Sequence, residues 1–155
     1  MYTREQASRA RQAFWTAFGQ YLAPHPGSEG LKVKVNWANY KTGFRGLYFQ
    51  MYADNKEAFI GIVMKQTDPD LRALFYEQFE ELKPVLHSCL NEQWRWEAEA
   101  SGEHGQPQSR IYTTLSPVSI FRQEEWPQLI SFFKPRIIAL DEFWSMGKYH
   151  FEPLR

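Results

Sequence analysis

Between residues 32 and 52 the chain interleaves cations with aromatic rings: Lys32 and Lys34, then Trp37, Tyr40 and Lys41, then Phe44, Arg45, Tyr48 and Tyr52. Single-stranded nucleic acid binding uses this pairing, because cationic groups track phosphates while flat rings stack on bases of any sequence. The plainer use of the same residues packs the rings beneath a helix and leaves the lysines to solvate a sheet edge. The candidate contact set is Lys34, Trp37, Tyr40, Lys41, Arg45, Tyr48 and Tyr52. A basic hairpin could also meet the acidic stretch 77–103 of a second copy, which makes a homodimer a further expectation.

Other side chains with chemical potential are less well arranged. Lys41-Thr42-Gly43 and Ser131-Phe132-Phe133-Lys134 match two motifs of serine β-lactamases. Their chain order is reversed, no Ser-Asp-Asn is present, and Lys41-Thr42-Gly43 reads more simply as turn chemistry. His25, His87, His104 and His150 have no metal-ligand spacing. Cys89 is the only cysteine, so no intrachain disulfide can form, and a reducing compartment fits. No charged neighbour in the sequence activates its thiol, and it reads as a small, partly buried side chain. No glycine-rich phosphate loop opens a helix. The sequence therefore points to no metal and no cofactor.

These residues are positioned by elements that the apolar spacing makes legible. Ala7, Ala10, Phe14, Phe18 and Leu22 recur at helical spacing over residues 4–22, and Thr3 with Gln6 forms a capping box. Leu31, Val33, Val35 and Trp37 alternate with polar residues and predict a first strand. Leu47 to Ala53 predicts a second strand, and Ala58 to Met64 a third that is apolar on both faces and so belongs inside the sheet. Asp68-Pro69-Asp70 starts a helix with its apolar stripe running to Leu86. Trp94, Trp96 and Ala98 lie in a fourth strand, Arg110 to Leu115 form a fifth, and a last helix runs from about Glu124 to Met146. The order is α-β-β-β-α-β-β-α. The expected fold is a single α+β domain over residues 1–155, with a mainly antiparallel five-stranded sheet packed by helices.

A shift of 51 residues lays Ala58–Lys65 on Ser109–Ser116 and Lys83-Pro84 on Lys134-Pro135. Proline inside a helix removes a hydrogen bond and bends it, so the offset predicts a ββα pseudo-repeat with two bent helices wrapping one sheet.

The opening α-β-β-β-α-β order also resembles the core of restriction-endonuclease-like nucleases, whose metal needs clustered carboxylates. Asp54 and Lys65 fall near the expected places, but the position that should be acidic is Val63. An enzyme centred on Asp54 and Lys65 is the alternative to a binding role.

Composition narrows the field. The 155 residues are 43% hydrophobic and include six Trp, eight Tyr and twelve Phe, which excludes disorder as the main state. Eighteen basic side chains balance eighteen acidic ones, so the chain as a whole is not a basic nucleic-acid binder. The balance is uneven along the chain. Residues 1–56 carry eight bases against three acids, and residues 57–103 carry four bases against ten acids. Without an apolar N-terminal run or a membrane-length apolar stretch, a cytoplasmic location away from membranes is expected.

Phe14-Trp15-Thr16-Ala17-Phe18, Asn39-Tyr40-Lys41-Thr42-Gly43, Phe75 to Leu82, Ser109-Arg110-Ile111-Tyr112 and the run from Trp126 to Trp144 resemble the bacterial domain-of-unknown-function family 4268. The likeness covers nearly the whole chain. It implies no catalytic residues. Because the family's domain also occurs fused behind nuclease-like modules, it implies an accessory role near DNA processing or defence. The combined expectation is a non-enzymatic module that recognises a protein or nucleic-acid partner.

Overall fold

A computed structural model describes residues 3–22 and 37–155. Helix α1 (Arg4–Leu22) begins at the expected capping box: the Thr3 N–H donates to Gln6 Oε1 at 2.9 Å, and the Gln6 N–H to Thr3 Oγ1 at 3.0 Å. Its stripe of Phe14, Phe18 and Leu22 is fully buried. Strands β1 (Leu47–Ala53) and β2 (Ala58–Met64) form a hairpin. At its turn Asp54 Oδ1 accepts the N–H groups of Lys56 and Glu57, each at 2.8 Å, which is the job aspartate does best in a tight turn. β1 alternates between buried and more open positions, whereas every residue of β2 is buried, as its unbroken apolar run requires.

Asp68 caps helix α2 (Pro69–Glu81), accepting from Asp70 N–H at 2.9 Å. Helix α3 (Lys83–Leu90) follows after a single break at Leu82. Strands β3 (Arg95–Ser101) and β4 (Pro107–Leu115) make the second hairpin, and helix α4 (Trp126–Gly147) closes the fold with a short 3-10 segment over Lys148–Leu154. The sheet is antiparallel with order β1-β2-β4-β3, so the inner strands of the two hairpins pair with one another. Leu47, Phe49, Met51, Ile60, Ile62, Met64 and Ile111 belong to the main core with Phe14, Phe18, Phe75, Phe79, Phe133, Leu140 and Trp144 of the helices. Among the described residues no helix is long and apolar enough to cross a membrane.

The α+β class stands, but two expectations change. The described sheet has four strands, not five. Of the expected first strand, residues 31–36 lie outside the described residues. Its last member, Trp37, instead opens a 3-10 turn (Trp37–Asn39), and its side chain is buried in the core. The matched prolines also behave differently. Pro84 occupies the first turn of α3, where a missing N–H costs nothing, and the chain breaks before it. Pro135 remains inside an unbroken α4, flanked by the buried side chains of Phe132, Phe133 and Ile137. The 51-residue offset relates the two inner strands but does not extend to two similarly interrupted helices.

Candidate binding face of the sheet

The face of the sheet turned away from the main core has its own residues. On β1 these are Tyr48, Gln50 and Tyr52; on β2 they are Phe59, Gly61 and Val63; on β4 they are Arg110 and Tyr112. Period-two alternation puts them on one side, and the register then brings rings from three strands together. Tyr52 sits opposite Phe59, their rings stacked with centroids 4.9 Å apart and planes within 11°. Phe59 stacks in turn on Tyr112 at 5.3 Å and 21°. The Arg110 guanidinium lies 4.4 Å from the Tyr112 centroid, and that of Arg95 lies at 5.6 Å. Phe59, Val63 and Tyr112 form a small buried cluster separate from the main core.

Gly61 makes this ladder possible. It pairs with Gln50 on one side and Tyr112 on the other, and a Cβ there would come within 2.7 Å of Tyr112 Cβ and 2.9 Å of Phe59 Cζ. Real Cβ atoms do not approach so closely, so the bare backbone of Gly61 is the floor over which the two rings meet.

A cleft of about 600 Å³ runs across this face, lined among others by Arg11, Gln50, Tyr52, Asp54, Lys65, Gln108 and Arg110. Lys65 Nζ stands 5.3 Å from the Tyr48 ring centroid and has no carboxylate partner among the described residues. Arg110 donates only through Nε, to Glu97 Oε1 at 2.5 Å, leaving its terminal nitrogens without a described hydrogen bond. Burial works against the Arg110 charge, but the Glu97 bond and charge more than offset it and raise its pKa, so it remains a cation. Burial, then Glu57 and Asp54, pushes the Tyr52 phenol up, against a smaller opposing pull from Arg110. The ring therefore presents a neutral, planar surface near neutral pH.

The residues expected to make contacts divide into three groups. Tyr48 and Tyr52 are 46% and 40% exposed on this face, and Lys41 and Arg45 are exposed in the segment leading into β1. Trp37 and Tyr40 turn inward instead. Trp37 is buried, and Tyr40 stacks on Phe49 at 5.1 Å and donates its hydroxyl hydrogen to Asp141 of α4. Asp141 is itself only 2% exposed. Lys34 lies outside the described residues. Phe59, Arg110 and Tyr112 were absent from the expected set. Their signal was present in the alternation that places Phe59 opposite in facing to Ile60 and Ile62, and Tyr112 opposite to Ile111.

The structure does not bring Asp54 and Lys65 of the nuclease alternative together. Ala53 pairs with Ala58 and Leu47 with Met64, so Asp54 and Lys65 flank opposite ends of one hairpin, on the order of 20 Å apart along the strands. Asp54 is committed to the turn. Among the described residues no three His, Cys, Asp or Glu side chains are grouped to hold a metal ion.

No curated protein and no solved structure matches the chain. A family model does match, over residues 10–148, and it takes in every element of both hairpins and all four helices except the first turns of α1. The chain belongs to the family described as a domain of unknown function, DUF4268.

Proposed function

We infer that this protein is a non-enzymatic binding module whose contact surface is the sheet face around the cleft, and that its partner carries anionic groups there. The observation behind this inference is the pairing of Lys65, which has no described ion pair, with the free terminal nitrogens of Arg110 along one cleft. Cations gathered along a cleft concentrate counter-charge there. Arg11 adds a third positive group, while Asp54 and Glu103 in the lining, and Glu97 paired with Arg110, are acidic and limit the net charge. Lys41 and Arg45 extend the cationic surface before β1. An accessory role beside DNA-processing partners fits such a surface.

The test is a salt titration of binding to fluorescent polyanions, with oligonucleotides and inorganic polyphosphate as probes. Affinity should fall steeply as salt rises, because neutralising phosphates releases counterions. Lys65→Glu should weaken every such probe by about tenfold. Binding that ignores either salt or this charge reversal would remove the inference.

A further inference from the structure

We propose that the anionic partner is single-stranded nucleic acid, taken up by extending the ring ladder outward from Tyr52. This rests on the cleft being an anion-binding face and goes further by naming what occupies it. The ladder runs Tyr52, Phe59, Tyr112 and then the Arg110 guanidinium, all roughly parallel or face-on. Phe59 stacks with two neighbouring rings, and Tyr112 meets both Phe59 and the guanidinium groups of Arg95 and Arg110. Tyr52 is different: its ring stacks on Phe59 alone among the described rings, the residue is 40% exposed, and its strand β1 is one of the two edge strands of the described sheet. An incoming base continues the stack there.

Tyr48 lies on the same face of the same strand, four residues away, or about 13 Å at the usual strand rise. It offers a second ring, with Lys65 Nζ already near it. Between the two tyrosines stands Gln50, whose amide both donates and accepts and so suits the edge of a splayed base. The strip thus alternates ring, amide and ring, with cations at its flank. Single strands are held in this manner: rings take the bases while lysine and arginine follow the backbone. A duplex keeps its bases stacked on one another and offers no free face to Tyr52. An acidic peptide supplies charge but no planar partner.

The experiment compares four probes by fluorescence anisotropy: a twelve-nucleotide thymidine strand, a duplex of equal length, inorganic polyphosphate, and a polyglutamate peptide. The single strand should bind about tenfold more tightly than the other three. Tyr52→Ala should weaken the single strand by about tenfold and polyphosphate by less than about twofold, and Tyr52→Phe should keep full affinity. Because Tyr52→Ala also removes a ring from the ladder, a second measurement uses the unaltered chain. A 5-iodouracil strand, photocrosslinked and mapped by mass spectrometry, should attach at Tyr52 or Tyr48. Equal binding of polyphosphate or polyglutamate, or a crosslink elsewhere, overturns the proposal and leaves the anion-binding face intact. Failure of every polyanion to bind, or binding indifferent to Lys65→Glu, overturns both.

Discussion

Tyr40 illustrates how one hydroxyl changes the reading of a residue. Its place in a basic, aromatic stretch pointed outward to a ligand, but its hydrogen bond goes to Asp141 in the interior of α4. The carboxylate has no other described partner, and Oδ2 is buried without one. Tyr40→Phe should therefore destabilise the protein by about 1–3 kcal/mol in urea unfolding, since a buried acceptor loses its donor. Adding Asp141→Leu to that variant should recover part of the loss, because removing both polar partners avoids the unsatisfied group. Full additivity of the two losses would show that the bond is not what couples them. Gly61 makes a second residue-scale case. Gly61→Ala should cost about 1–3 kcal/mol through overpacking against Phe59 and Tyr112. Near-ultraviolet circular dichroism should report the lost ring contacts at unchanged far-ultraviolet signal.

At the level of elements, the two Lys-Pro pairs are a controlled comparison. Proline in the first helical turn is cheap, whereas within a helix it removes a backbone bond and crowds the preceding turn. Pro84→Ala should shift stability by less than about 0.5 kcal/mol, because α3 begins one residue before it. Pro135→Ala should stabilise by about 1–2 kcal/mol, the gain in helix propensity less the added freedom of the unfolded chain. Thermal unfolding of both variants decides this; equal responses would mean that α4 has relaxed fully around its proline. The hairpins teach a related lesson. β2 could be recognised as an inner strand because its residues are apolar on both faces, and it does pair on both sides. β3 has a mostly exposed pattern with Arg95, Glu97 and Glu99, which suits the outer position it takes and discourages pairing with another chain.

For the molecule as a whole, zero net charge conceals an uneven distribution, and its consequence is local. The fold gathers Arg11, Lys65 and Arg110 into the lining of one cleft. A global response to pH follows from groups that the fold keeps neutral. Burial and then Glu142 raise the Cys89 thiol, burial and then Glu80 and Glu97 raise Tyr76, and Tyr52 is raised in the same direction. Each loses its proton in the unfolded chain at a lower pH than in the folded one. The stabilisation they contribute is complete below their ordinary values, about 8.5 to 10, and is lost as pH climbs through the higher folded values. The urea midpoint should therefore fall between pH 8 and pH 10.5 with little change in slope. A midpoint that holds or rises over that interval contradicts the assignment.

Local chemistry was enough to locate most elements. Thr3 and Gln6 announced α1, Asp68-Pro69 announced α2, the Asp54 turn separated two alternating runs, and the apolar stripe to Trp144 marked α4. These signals act over a few residues, so they can be read along the chain. The break at Leu82 was less visible because the apolar stripe continues across it to Leu86 while the helix itself is interrupted. What no local pattern could supply was the ring-lined face of the sheet. Tyr52, Phe59 and Tyr112 become a ladder only when β2 pairs with β1 on one side and β4 on the other, bringing together residues up to 60 positions apart. Tyr40 leaves that face for the same kind of reason, since its partner Asp141 lies 101 residues away. Periodicity assigns a side chain to one side of its own element; which neighbour meets it there is decided by the pairing of strands and the docking of helices.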